Sequence, residues 1–304
     1  ADSPDNLDKD SPQAHHGMLD LVGAALKQTA GQYMKLARSL PDVAGVVGNL
    51  FKATDEKAET GKGKMRQNFA FGPKTSLNVP ITGDRSFAAV SLPLANIKKI
   101  ASQHGAKLND VVLAICSGAL RLYLLQHHKL PRKSLIATVP VSLREAGNTS
   151  TTTQATLTLV NLATHISDPL KRLNAIRAAA GAAKSLTKQA KSVIPTDFPS
   201  LGIPWLLGGL ASLYGASKIS KVIPPIANVA ISNVPGPQQP LYVAGAKICA
   251  YWPLSIIEHG LGLNITVISY CDSLDFGLTA AKNAVPDVYL LAQMLNQSYE
   301  ELLH

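Results

Sequence analysis

Leu108-Asn109-Asp110-Val111-Val112-Leu113-Ala114-Ile115-Cys116-Ser117-Gly118-Ala119-Leu120 is the stretch that decides the fold. Asn109 suits a helix N-cap and Asp110 a first-turn anion, because the first backbone N–H groups of a helix lack partners and its positive end favours negative charge. From residue 112 to 124 apolar side chains fall on nearly every side. A helix that is apolar all round lies inside a domain, so this start presents two polar side chains from deep within the fold.

Working outward, residues 85–92 read as a strand ending at Pro93. Pro93 can open a helix in its first turn, with Leu94, Ile97, Ile100 and Ala101 on an apolar face and Gly105 as its stop. After the central helix, residues 135–141 form a short β-branched strand, 147–153 a Ser/Thr-rich loop, and 156–163 a second strand. Ser167-Asp168-Pro169 caps a helix running to about Val193, on which Arg177, Lys184, Lys188 and Lys191 share a basic face. The apolar run 198–210, which contains Trp205, is interrupted by Pro and Gly. The last third is mostly strand: 228–233 running into Val234-Pro235-Gly236-Pro237, then a meander over 242–252, 261–270 and 274–279. Pro286 opens a closing helix with Val288, Leu291, Leu295 and Leu302 on one face.

Before residue 85 the chain is less regular. Residues 1–13 are polar, 19–40 have helical spacing, and 51–80 read as a long loop crossing the surface. The expected division is therefore a linker and helical crossover over 1–84 and a folded domain over 85–304.

The chain has 304 residues, a net charge of +9, 46% hydrophobic and 16% charged residues. Residues 169–257 carry nine cations against one acid, Asp197, so the positive excess belongs to one region. Such a patch suits a phosphate-bearing ligand or an anionic lipid surface; without interleaved aromatic residues or a recognised module, nucleic acid is not indicated. Cys116, Cys249 and Cys271 are odd in number and far apart, and read as reduced core residues of a cytosolic protein rather than a disulfide framework or metal site. No Gly-rich phosphate loop follows a strand, and no G-x-S-x-G nucleophile elbow is present.

Several stretches carry a family resemblance: 108–114 with Ser117-Gly118-Ala119-Leu120-Arg121, then Val139-Pro140-Val141-Ser142-Leu143-Arg144, Asn161-Leu162-Ala163-Thr164, Asp168-Pro169, and Ser232-Asn233-Val234-Pro235-Gly236-Pro237. Together with Leu263-Asn264-Ile265 and Ser269-Tyr270, they resemble the bacterial wax ester synthase/diacylglycerol acyltransferase family. The resemblance covers residue 87 onward and identifies 85–304 with the family's C-terminal part.

It implies an α/β, chloramphenicol-acetyltransferase-like (CoA-dependent acyltransferase) fold, mainly its C-terminal half, with a mixed sheet and flanking helices. Two halves would enclose a tunnel, entered by acyl-CoA at one end and by a long-chain alcohol or diacylglycerol at the other. Acyl-CoA is then a substrate, and no cofactor or metal is implied. Asn109 and Asp110 become the candidate catalytic pair; Ser232, Asn233 and Gly236 become candidate substrate-binding residues, Gly236 because a missing side chain leaves room for an alkyl chain. Plain alternatives fit the same residues: a helix cap for Asn109-Asp110 and a strand terminator for 232–237.

The family's base is the second histidine of His-His-x-x-x-Asp-Gly, which takes the alcohol's proton during attack on the thioester. His15-His16-Gly17-Met18-Leu19-Asp20-Leu21 lacks the final glycine and has no strand before it, so it is read as a linker pair. The catalytic histidine is expected on an N-terminal half outside this chain. Where the family has Asn in the strand before Asn161-Leu162, this chain has Thr153. The expected setting is cytoplasmic, peripheral at a membrane or lipid-inclusion surface. The rival readings are a related condensation-type acyltransferase and a catalytically inactive lipid-surface or structural protein of the same fold.

Overall fold

Period-two alternation in two strands shows how the core is built. In β7, Leu263–Tyr270, the side chains of Leu263, Ile265 and Val267 are buried, while Asn264, Thr266 and Ile268 are half-buried. In β4, Val229–Val234, Val229 and Ile231 are buried and Ala230 and Ser232 are not. One sheet face therefore meets helices and the other faces outward. The computed structural model describes residues 71–142, 155–190 and 225–304, all within one compact unit, Lys64–His304.

The other large-sheet strands are β1 (Arg85–Pro93), β2 (Ile136–Ser142), β3 (Ala155–Asn161) and β8 (Ser273–Ala281). Their order is β1-β8-β7-β4-β2-β3. The β2–β4 and β4–β7 pairs are parallel and the rest antiparallel, which makes the sheet mixed, as expected. The helices are α1 (Leu94–Gln103), α2 (Leu108–Gln126), α3 (Pro169–Ala190) and α4 (Val288–Leu303). Helix α2 is the central element: Asp110 to Leu120 are all buried, as are Tyr123 and Leu124. It is long and apolar enough to cross a membrane, but it is packed among α1, α3, α4 and the sheet.

Helix α1 buries Leu94, Ile97, Ile100 and Ala101, with Pro93 as its N-cap rather than its first helical residue. Asp168 caps α3, its Oδ1 accepting the Lys171 N–H at 2.7 Å. Helix α4 buries Val288, Leu291, Leu295 and Leu302.

Three expectations need correction. Residues 71–80 are irregular, yet they do not merely cross the surface: Leu77 is fully buried and Asn78 nearly so. Asn78 Nδ2 donates to the Ala227 and Gly260 carbonyls, both at 2.8 Å, and Asn78 Oδ1 accepts from Asn228 Nδ2 at 2.7 Å. The expected strand over 242–252 is instead a tight hairpin, β5 (Tyr242–Val243) and β6 (Ala246–Lys247). Its turn places Ala244 and Gly245 at φ 48° and 83°, the positive pair a primed two-residue turn needs.

Only Cys116 is a core cysteine; Cys249 is exposed, and Cys271 is half-buried at φ 47° in the β7–β8 turn. Arg177 is exposed on α3, and its Nη1 donates to the His104 and Gly105 carbonyls at the end of α1. Lys191, the Trp205 run, the 147–153 loop, Asp197, Lys218, Lys221 and His15-His16 lie outside the described residues, as do the side chain of Lys188 and Arg144.

Candidate functional site

The cap of α2 sits two residues earlier than Asn109. Lys107 is the N-cap, extended at φ −88° and ψ 157°, and its carbonyl accepts the N–H groups of Asp110 and Val111 at 3.0 and 3.2 Å. The Lys107 side chain has no acceptor to offer. Instead Asp110, three residues on, returns its Oδ2 to the Lys107 N–H at 2.9 Å, the reciprocal arm of a capping box. Asp110 is 5% exposed and turned toward its own backbone, where it fixes the helix start. Asn109, placed at the second helical position, is released from capping.

The second motif supplies its partner. Strand β4 ends at Val234, and Asn233 lies on the same side of the strand as buried Val229 and Ile231, facing the helices. Asn233 Nδ2 donates to Asn109 Oδ1 at 3.4 Å, joining positions 124 residues apart. Both side chains are half-buried. With its oxygen so occupied, Asn109 keeps its Nδ2 donor without a protein partner among the described residues, beside the positive end of a buried helix.

Ser232 and Gly236 do not join that pair. Ser232 alternates to the outer sheet face, opposite Thr266 in register. Gly236 N–H donates to Ser269 Oγ at 3.0 Å. A Cβ on Gly236 would run into the Ser269 carbonyl and come within 2.8 Å of Ile268 Cγ1. Close approach to the β7 backbone requires a glycine at this position, whatever else the missing side chain leaves room for. Ser269, part of the Ser269-Tyr270 stretch of the resemblance, is thus the holder of this strand end. Lys107 could have been found as the cap from the carboxylate three residues after it.

Other polar clusters stand apart from the asparagines. Tyr123 OH donates to Asp287 Oδ1, and His127 Nε2 lies 3.1 Å from Asp287 Oδ2, at the opposite end of α2. Burial, reinforced by Asp287, pushes the Tyr123 phenol well above its ordinary range. Ser134 Oγ pairs with His165 Nδ1 at 2.5 Å. A 480 Å³ cavity lined by His104, Asp168, Glu301 and His304 lies where the ends of α1 and α4 meet the start of α3. No histidine is hydrogen-bonded to Asn109 or Asn233 among the described residues, and none of these residues group as a metal site.

Comparison with known proteins agrees with the motifs. The wax ester synthase/diacylglycerol acyltransferase catalytic domain matches residues 2–112, and the C-terminal domain of the same family matches 152–303. A putative diacylglycerol O-acyltransferase of Mycobacterium tuberculosis is 39% identical over 279 residues, covering 91% of this chain and 60% of that protein. An O-acyltransferase of Acinetobacter baylyi is 41% identical over 233 residues, covering 75% of this chain and 48% of its own length. The solved wax ester synthase/diacylglycerol acyltransferase of Marinobacter aquaeolei VT8 superposes with a TM-score of 0.61 at 31% identity, over 86% of this chain and 57% of that one. The chain thus spans about half to three-fifths of the length of these curated relatives. By its two domain matches and these identities, the chain belongs to the wax ester synthase/diacylglycerol acyltransferase family.

Proposed function

We propose that this chain is the larger part of an O-acyltransferase that moves a fatty acyl group from acyl-CoA to a long-chain alcohol or diacylglycerol, yielding wax ester or triacylglycerol. The observation that carries this reading is the Asn109–Asn233 contact, which joins the two family motifs at the start of a buried helix. An alcohol oxygen attacks the thioester carbonyl, its proton passes to a base, and the tetrahedral intermediate collapses with loss of the CoA thiolate. The Asn109 amide N–H donates to the carbonyl oxygen as it becomes negative, held by Asn233; one such donor is worth roughly 10²–10³ in rate. Asp110 acts indirectly, by fixing the helix start. Ser232, on the outer sheet face, contacts the alkyl chain, and Gly236 serves the substrate only through the path of the strand end. Acyl-CoA is a substrate, and no resident cofactor takes part.

The base comes from an N-terminal segment carrying His-His-x-x-x-Asp-Gly. Support for such a partner lies in residues 241–256, which hold seven of the thirteen exposed large apolar side chains among the described residues. This excursion is anchored from below: Tyr270 OH donates to the Ile248 carbonyl at 2.9 Å, and Tyr251 N–H donates to Asp275 Oδ2 at 2.7 Å. Fixed backbone with outward Tyr242, Trp252, Leu254 and Ile256 suits a protein interface. The substrates partition into lipid, so the enzyme works in the cytoplasm, peripherally at a membrane or lipid-inclusion surface.

The test measures CoA release from palmitoyl-CoA with a long-chain alcohol. Three samples are compared: the chain alone, the chain extended by the preceding segment of its gene, and that extended protein carrying His16→Ala. The expected results are none, activity, and undiminished activity. Activity of the chain alone that disappears with His16→Ala would make His15-His16 the catalytic pair and overturn the partner.

A further inference from the structure

Arg172, in the first turn of α3, is a charged side chain only 1% exposed. Its Nη1 donates to the Ile166 and Ser167 carbonyls at 3.1 and 3.0 Å. The other edge of the guanidinium is open. Nε and Nη2 find no hydrogen-bond partner among the described residues, and neither does the Ser298 hydroxyl of α4, which is fully buried. These open groups meet at Gly118 of α2, where a Cβ would run into Ser298 Oγ and come within 2.8 Å of Arg172 Nη2. Nε and Nη2 form the edge that takes a carboxylate through two parallel hydrogen bonds.

Unmet charged donors in an interior are strongly unfavourable, so this fork calls for an acceptor. Burial lowers the Arg172 pKa below its ordinary value, and the neighbouring Glu301 opposes the shift. Glu301 Oε2 stands 3.9 Å from Nη2, beyond hydrogen-bond reach. Its side chain is 34% exposed and also lines the 480 Å³ cavity at the ends of α1 and α4 and the start of α3. The cavity therefore borders the fork, with a flexible side chain common to both. Pro169, Leu170, Leu302 and Leu303 give the cavity an apolar wall that suits an alkyl chain. Asp168 and Glu301 line it too, and two acids disfavour a multiply charged anion such as phosphate. Gly118 lies roughly 14 Å along α2 from Asn109, so this place is separate from the candidate acyl-transfer site.

We infer that the cavity binds an aliphatic monocarboxylate, whose oxygens accept from Arg172 Nε and Nη2 and from Ser298 Oγ in place of the Glu301 carboxylate. The exposed Glu301 side chain swings aside, and the alkyl chain lies along the leucines. The inference makes no use of the acyl-transfer reading, and binding alone tests it.

The full chain is titrated calorimetrically with hexanoate, hexanol and inorganic phosphate at constant ionic strength. Hexanoate should bind, with hexanol and phosphate at least about tenfold weaker. Glu301→Gln should bind hexanoate about tenfold more tightly, because the competing charge is gone. Ser298→Ala should bind it about tenfold more weakly, through loss of one donor to a charged acceptor, while its melting temperature does not fall, since the hydroxyl removed has no partner. Arg172→Lys keeps the charge without the fork and should lose binding; because it also frees the Ile166 and Ser167 carbonyls, the Ser298 and Glu301 variants decide the matter. No hexanoate binding by either the parent or Glu301→Gln would overturn the proposal. Equal affinity in the parent, Glu301→Gln and Ser298→Ala would overturn it as well, by placing hexanoate elsewhere. Phosphate binding as tightly as hexanoate would reveal a general anion site and overturn the carboxylate.

Discussion

Replacing Asn228 with alanine should loosen the whole sheet, and the cost follows from its contacts. Asn228 is fully buried at the entrance to β4. Its Oδ1 accepts the Ile136 N–H at 2.9 Å, and its Nδ2 donates to the Pro73 carbonyl at 2.6 Å and to Asn78 Oδ1 at 2.7 Å. Alanine leaves the Ile136 N–H without a partner in the interior and strips the Pro73 carbonyl of its donor, whereas Asn78 Oδ1 keeps Thr75 Oγ1 at 2.9 Å. Orphaning a buried polar group costs about 1–3 kcal/mol, so one full and one partial orphan amount to about 3 kcal/mol. In a unit of this size that lowers Tm by about 6–12 °C.

Urea titration at 25 °C should show the midpoint falling at unchanged slope. Asn228→Asp discriminates further. It keeps the acceptor for Ile136 but turns a carboxylate oxygen toward two other oxygens, and should be at least as unstable. Asn78→Ala with Asn228→Ala should cost about 1 kcal/mol less than the sum of the singles, because both remove one shared bond. An Asn228→Ala protein within about 0.5 kcal/mol of the parent would refute the reasoning; so would strict additivity, which the shared bond forbids.

Gly236→Leu should destabilise the protein and, in the acyl-transfer assay, reduce turnover on every chain length alike, because the new side chain meets the Ser269 carbonyl first. A changed chain-length profile at unchanged Tm would instead support the tunnel-wall role. Asp110→Ala should cost about 1 kcal/mol through loss of the capping box, read from urea midpoints, and should lower kcat through a displaced Asn109 without changing the ionisation seen in the pH–rate profile. Burial pushes the Cys116 thiol up to about 12 from 9.0. Its folded pKa lies above the unfolded one, so the full stability is present below pH 9 and declines as pH rises toward 12, by up to about 1.4 kcal/mol per unit. Cys116→Ala should flatten that decline between pH 9 and 10, and at pH 8 a thiol reagent should label Cys249 but not Cys116 in the native protein.

Elements with strong periodicity were legible in the sequence. Helix α2, the apolar faces of α1 and α4, and strands β1, β7 and β8 appear where hydrophobic spacing puts them. What failed depended on partners distant in the chain. Nothing local in residues 71–80 indicates that Asn78 will meet Asn228, so polar, glycine-bearing sequence read as surface loop. The hairpin at 242–247 hides in a run of β-prone residues because its turn uses Ala244 at positive φ, where sequence would favour Asn or Gly. At the site, the motifs led to Asn109 and Asn233 together but not to their geometry. Cap preference favoured Asn109 over Lys107, and only the reciprocal carboxylate of Asp110 decides otherwise. Gly236 offers two readings in the sequence, space for a ligand or space for backbone, and the nearness of Ser269 gives the second a physical basis.

The central claim is that Asn109, oriented by Asn233, donates to the acyl carbonyl in the transition state. It is tested most directly by a kinetic double-mutant cycle of Asn109→Ala and Asn233→Ala in the protein joined to the N-terminal segment proposed above to carry the base, with palmitoyl-CoA and a long-chain alcohol. The account predicts that Asn109→Ala lowers kcat/KM by about 10²-fold and Asn233→Ala by about tenfold. The double variant should be no slower than Asn109→Ala, and each melting temperature should stay within a few degrees of the parent. Parental kcat/KM in Asn109→Ala, accompanied by a lowered melting temperature, would contradict it and leave Asn109 a structural residue.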